Sequence, residues 1–145
     1  MPSVVAAAVQ REIVRRSAEY SAALRVLVVG DEELFHWAMR ETLEAAGHVV
    51  YDAGTDAADV ASAVVESGAD VVVIGPAMAP TTQIDRIRLV LRFAPDVGVV
   101  VVSGETSRES NFDLLRAGAT RVLGDTVDVA DVPAIVADAH RCRPI

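Results

Sequence analysis

The chain has 145 residues, enough for one domain with a substantial core and too few for two. It is 52% hydrophobic with a mean hydropathy of +0.35, which excludes general disorder, and its aromatic content of 4% requires an aliphatic core. A net charge of −8 argues against nucleic-acid binding. The longest apolar run, Val97–Val102, is far shorter than the roughly 20 residues of a membrane span.

Two residue counts exclude further chemistry. All 13 basic residues are arginines, so no catalytic role can fall to a lysine. The single cysteine, Cys142, cannot form an internal disulfide and favours a reducing, cytoplasmic location. Residues 1–9 lack the basic start and long apolar stretch of a secretory signal.

Residues 1–24 are predicted to form an N-terminal helical extension, ahead of a domain over residues 25–145. Apolar residues recur there at helical spacing, with Arg11, Glu12, Arg15 and Arg16 on other faces. The apolar stripe consists of Val5, Val9, Ile13, Tyr20 and Leu24. Two interpretations stay open: a helix that caps the fold or links to another segment, and a helix that binds a partner or a second copy.

Five short valine-rich runs indicate strands buried on both faces. They are Arg25–Val29, His48–Tyr51, Asp70–Ile74, Val97–Val102 and Arg121–Leu123.

Segments between the strands repeat apolar residues every three or four positions, which predicts helices. The first two end at Gly47 and Gly68, and the third ends before Pro95. Phe112 and Leu115 indicate a fourth helix, which is closed by Gly118. Pro133 fits only the first turn of the last helix, with Asp131 as its cap.

The alternation predicts an α/β fold of the (βα)5 type, a doubly wound, five-stranded parallel sheet with flavodoxin-like topology and the extra N-terminal helix. In such sheets, ligands and switches lie at the carboxyl ends of the strands. Those ends are Gly30-Asp31, Gly75-Pro76, Ser103-Gly104 and Gly124-Asp125.

Three segments carry a resemblance to a known family. Residues 27–34 (LVVGDEEL) resemble the first strand and helix of response-regulator receiver domains (CheY-like). Residues 94–97 (APDV) resemble the fourth strand of that family, and residues 115–119 (LRAGA) resemble the approach to its fifth strand. The last segment is closest in style to receivers of NarL/LuxR-type regulators. The resemblance extends from residue 25 to about residue 141.

The resemblance implies a phosphorylation site that this chain has largely lost. In the family, two acidic residues after the first strand and an aspartate on the third hold Mg²⁺, and that aspartate accepts the phosphoryl group. Here Gly30 and Asp31 fill the acidic pair and Gly75 fills the phosphoacceptor position. Ser103 keeps the hydroxyl position, and Asp125 replaces the lysine. Val122 occupies the aromatic switch position.

The resemblance therefore implies a non-enzymatic pseudo-receiver, a regulatory module of two-component type that binds proteins without aspartate phosphorylation, metal or cofactor. Receivers bind partners or dimerise through their fourth and fifth helices and the intervening strand, or through their first and last helices. We expect a protein partner or a homodimer, and no direct contact with nucleic acid or a membrane.

Three other functions stay open. A corrinoid-like or other small-ligand binding domain has similar architecture, but its Asp-x-His-x-x-Gly motif is not met after Asp31. A flavodoxin-like enzyme or nucleotide binder lacks its glycine motif here. A receiver could also use a displaced carboxylate.

The remaining polar and aromatic candidates are given structural interpretations. The acidic run Asp31–Glu33 suits a helix N-terminus, with residual cation binding as the alternative. His36 and His140 are interpreted as surface residues, and Trp37 as partly buried.

Overall fold

The computed structural model describes residues 23–104 and 107–142. Five strands alternate with five helices, so the predicted (βα)5 fold is confirmed. The elements in order are β1 Arg25–Val29, α1 Glu33–Ala45, β2 Val49–Ala53, α2 Ala57–Ser67, β3 Val71–Ile74, α3 Pro80–Phe93, β4 Gly98–Ser103, α4 Arg108–Ala117, β5 Arg121–Gly124 and α5 Val132–Arg141, with a 3-10 turn at Val129–Asp131 before α5.

The strands form one parallel sheet in the order β2-β1-β3-β4-β5. Side chains alternate between the two faces of the sheet, and both faces are covered. Val26, Val73 and Val100 pack with residues of α1 and α5, whereas Leu27 and Ile74 pack with residues of α2, α3 and α4. The core is aliphatic, as the composition predicts.

The predicted helix ends agree with the structure except at one cap. Gly68 adopts a left-handed conformation at φ +59° after α2, which a residue with a Cβ atom adopts less easily. Pro133 lies in the first turn of α5, as predicted. Asp131, however, makes no side-chain cap hydrogen bond, and Asp128 accepts one from the Ala130 amide at 3.0 Å instead.

The predicted N-terminal helix lies outside the described residues except for Leu24, and at Leu24 the prediction is wrong. Leu24 is not helical and is buried in the core. Its carbonyl accepts from the Val49 amide at 2.9 Å, and its own amide donates to Nδ1 of His48 at 3.0 Å. Burial lowers the pKa of His48, which suits a ring nitrogen that accepts. Leu24 therefore belongs to the domain that follows it.

Two helices expose apolar side chains that the sequence pattern alone does not place. On α4, Leu114 is fully buried, while Phe112 and Leu115 are 59% and 46% exposed. On α1, Trp37 is exposed at 60%, whereas the sequence analysis interprets it as partly buried. Within the described ranges, no helix is both long and apolar enough to cross a membrane.

Candidate functional site

The structure brings the predicted site residues to one edge of the sheet. Parallel strands end at the same side, so Gly30, Gly75 and Ser103 lie at neighbouring strand ends. The Gly75 amide donates to the Val29 carbonyl at 2.8 Å. We call this region the carboxyl edge. It has a half formed by β2, β1 and β3 and a half formed by β4 and β5.

An aromatic ring fills the space beside Gly75. A Cβ atom at this residue would lie 3.1 Å from both Cδ1 and Cε1 of Phe35, and 3.2 Å from the carbonyl oxygen of Val29. Phe35 is the third residue of α1, and it packs against the core. A side chain at position 75 would therefore have to displace Phe35.

His36 bridges β1 and β2. Its Nε2 is 2.6 Å from the carbonyl oxygen of Gly30, and its Nδ1 is 2.7 Å from a carboxylate oxygen of Asp52. The imidazole ring therefore joins a main-chain carbonyl to a carboxylate. The interpretation of His36 as a surface residue is wrong because this side chain joins α1 to two strands. His140, on α5, is half-buried.

Asp52 is the centre of a small charged network. Arg40 donates to Asp52 and, at 2.7 Å, to Glu44. Burial works to raise the pKa of Asp52, but hydrogen bonds from Arg40 and His36 outweigh it and hold that pKa below its usual value. This network stabilises the β2 end of the carboxyl edge.

Asp31, the retained acidic residue, binds the loop between β2 and α2. One carboxylate oxygen accepts from the Thr55 hydroxyl at 2.7 Å, and the other accepts from the Thr55 amide at 3.2 Å. The Thr55 carbonyl in turn accepts from Nε of Arg86 at 2.7 Å. Asp31 thus has a structural role in this loop.

Gln83 joins the ends of β3 and β4, and the sequence reasoning missed it. This α3 residue is 1% exposed, and its amide nitrogen donates to the carbonyls of Gly75 at 2.9 Å and Val102 at 3.0 Å. The signal that points to it is a polar residue on the inner face of α3, one turn before Ile87.

The β4–β5 half is arranged differently. Ser103 is buried, whereas Gly104 and Asp125 are exposed. The Asp125 carboxylate lies 3.9 Å from the position of a Cβ atom at Gly104, so it faces the gap between β4 and β5. Val122 is half-buried against the core face that includes Leu114. A carboxylate therefore stands where the family resemblance expects a lysine.

The acidic residues of this edge do not form a metal cluster. Glu32 precedes α1 and makes no side-chain cap hydrogen bond, and Glu33 lies in the first turn. In residues 23–104 and 107–142, no group of three or more His, Cys, Asp or Glu side chains is placed to hold a metal ion.

Known proteins match the chain by structure. No protein-family model and no curated protein matches it. The signal receiver domain of a putative response regulator NarL from Mycobacterium tuberculosis has a TM-score of 0.73 and 19% identity over 82% of this chain and 97% of that one. The beryllofluoride-activated NtrC4 receiver domain dimer has a TM-score of 0.71 and 23% identity over 81% and 96%.

A third similar structure is described as a protein of another kind. A putative pilus assembly-related protein from Burkholderia pseudomallei has a TM-score of 0.71 and 18% identity over 84% of this chain and 92% of that one. The chain therefore has the fold of response-regulator receiver domains. At such low identities the likeness shows the fold alone.

Proposed function

We propose that this protein is a phosphorylation-independent pseudo-receiver: a non-enzymatic module of two-component type that regulates through protein binding. The observation that carries the proposal is the ring of Phe35 in the space that a side chain at Gly75 would need. A receiver requires a carboxylate nucleophile there, and glycine offers only a hydrogen atom.

Two further observations support the proposal. Asp31 accepts two hydrogen bonds from Thr55, so its carboxylate is already engaged. Asp125 faces the edge with a negative charge, which repels a phosphoryl group. At an effective dielectric constant of about 20 and a separation of about 4 Å, such a repulsion is on the order of 4 kcal/mol.

Exposed apolar residues on α4 support a role in protein binding. Phe112 and Leu115 are exposed on one helix, and the Arg116 guanidinium lies 5.8 Å from the Phe112 ring centre. Aromatic and arginine side chains are enriched at protein interfaces. The NtrC4 receiver is described as a dimer, and self-association through α4 is the simplest form of the proposal. The proposal also includes a similarity to receivers of NarL/LuxR-type regulators, because residues 115–119 resemble the corresponding segment of those receivers.

Intact-mass spectrometry after incubation with acetyl phosphate and Mg²⁺ tests the loss of phosphorylation. We expect no phosphoryl adduct on the protein, or on a Gly75→Asp variant, because that variant still has Gly30 and Asp125. A receiver domain with the aspartate serves as the positive control. An acid-labile adduct on the unmodified chain, mapped to Asp31 or Asp125, would show a displaced phosphoacceptor and overturn the proposal.

Sedimentation velocity tests self-association. We expect a concentration-dependent dimer that is weakened at least about tenfold by Phe112→Glu, because a charge replaces an aromatic contact residue. Leu34→Glu is the matched control, since Leu34 is an exposed apolar residue on α1. An equal loss in both variants would place the interface elsewhere.

A further inference from the structure

A groove between α2 and α3 exposes a second apolar surface, away from the carboxyl edge. Its lining residues are Ala61, Ser62, Val65, Glu66 and Phe93, and we call it the α2–α3 groove. It has a volume of about 300 Å³. Val65 and Phe93 are 63% and 49% exposed, and they lie on helices that pack against each other. Neighbouring exposed apolar side chains of this kind often mark a binding surface.

The first strand begins near the end of α2, the helix that lines most of this groove. Arg25, the first residue of β1, donates from its guanidinium to the carbonyl of Ser67 at 3.2 Å. Its amide donates to the carboxylate of Asp70 at 2.9 Å. Ser67 is the last residue of α2, two positions after Val65. Leu24 packs on the other face of the sheet, with residues of α1 and α5, so residues that precede position 23 join the domain at the sheet edge where α2 ends.

The charge of those preceding residues complements the rest of the chain. Residues 1–22 carry three arginines and two glutamates, a net charge of +1, whereas residues 23–145 carry ten arginines and nineteen acidic residues, a net charge of −9. Glu66 lines the groove, and Asp70 and Asp96 line the adjoining depression. Arg25 and Arg92 also lie at this end of the molecule, and the three acidic residues outnumber these two arginines.

We infer that residues 1–22 bind in cis to the α2–α3 groove, with apolar residues such as Val9 and Ile13 against Val65 and Phe93. A covalent tether holds the segment at an effective concentration on the order of millimolar, so a weak contact is mostly formed. In this arrangement the groove buries the apolar stripe of the segment, and the arginines of the segment lie near Glu66, Asp70 and Asp96. The inference concerns a surface remote from Gly75 and does not depend on the proposed function.

Thiol labelling of a cysteine in the groove tests the inference. In a Cys142→Ser background, Val65→Cys reports access to the groove, and Leu115→Cys on α4 is the matched control. We expect Ile13→Asp to raise the maleimide labelling rate at position 65 by about fivefold, because it releases the segment, and to leave the rate at position 115 unchanged. Equal rates with and without Ile13→Asp at position 65 would overturn the inference.

Chemical-shift mapping of the full chain provides a second measurement without a cysteine in the groove. Ile13→Asp should move the amide resonances of residues 61–66 and Phe93, and these shifts should not depend on protein concentration. Shifts confined to α1 or α4 would place the segment on another surface and contradict the inference. Shifts that vanish on dilution would mean that a second copy supplies the segment, which also contradicts binding in cis.

Discussion

The two halves of the carboxyl edge differ in how closely helical side chains pack against the strand ends. On the β2–β1–β3 half, Phe35 and His36 of α1 pack into the space beside Gly75 and Gly30. Asp31 and Asp52 on that half accept hydrogen bonds from neighbouring side chains. On the β4–β5 half, Gly104 and Asp125 are exposed, and α4 presents Phe112 to solvent.

The difference indicates which residues stabilise the domain and which are available to partners. Substitutions on the filled half should change the free energy of unfolding, because they leave a cavity or an unpaired polar group. Substitutions on the open half should change binding with little effect on stability. Four experiments test this contrast, from the largest expected effect to the smallest.

Phe35→Ala should lower the free energy of unfolding by about 2 kcal/mol, since it removes a half-buried ring from the core. Phe112→Ala, a change of the same size on the open half, should cost about 0.5 kcal/mol or less. Urea unfolding followed by circular dichroism measures both. Similar costs for the two variants would remove the distinction between the halves.

Gly75→Ala should cost about 1–2 kcal/mol, because its Cβ atom would lie 3.1 Å from the ring of Phe35. Gly124→Ala is the matched control: at this strand end, the nearest atom to an added Cβ is Oγ1 of Thr126, at 3.8 Å. Most of the cost should disappear when Gly75→Ala is combined with Phe35→Ala. An additive double mutant would mean that the ring is not what excludes a side chain.

Asp52→Asn should cost about 1 kcal/mol at pH 6, since it weakens the hydrogen bonds from Arg40 and His36. The pKa of Asp52 is lowered in the folded state, so its contribution is fully present above the unfolded value of about 3.9. That contribution is lost as the pH falls through the folded pKa.

Urea unfolding of the Asp52 variant and the unmodified chain from pH 6 to pH 3 measures this dependence. The difference between them should stay constant down to about pH 5 and shrink at lower pH. Asp56→Asn is the control, because the side chain of that exposed aspartate makes no cap hydrogen bond. A difference that grows toward pH 3 would contradict the assignment.

Thr55→Val should have the smallest effect, about 0.5 kcal/mol, because it removes one exposed hydrogen bond to Asp31. In an Asp31→Ala background the same change should cost almost nothing. A double-mutant cycle by thermal unfolding measures the coupling. An unchanged cost in that background would show that Asp31 does not bind this loop.

Much of the fold could be predicted because its signals are local. Valine runs predicted the five strands to within one or two residues at most ends, and Gly47, Gly68 and Gly118 predicted where three helices end. The expectation that Gly75 takes the phosphoacceptor position needed only an alignment of strand ends with the receiver pattern. At Leu24 the helical spacing is misleading, because this residue pairs with Val49 and packs in the core.

The contacts of the site depend on distant parts of the chain. Helical periodicity places Phe35 and His36 on α1, but it does not predict their contacts. The structure shows that Phe35 covers Gly75 and that His36 reaches Asp52. Two glycines at adjacent strand ends, with Phe35 five residues after Gly30, are the sequence signal for a filled space. Phe112 and Leu115 indicate the helix α4, but only the structure shows that both are exposed and that Leu114 packs inward.

By itself, the order of residues determined the alternation of strands and helices and the aliphatic core, since each follows from local periodicity and composition. Only the tertiary structure decided that Phe35 occupies the space beside Gly75 and which apolar residues stay exposed. The physical reason is that packing joins residues far apart in the chain: Asp31 binds Thr55, and Gln83 binds the strand ends at Gly75 and Val102.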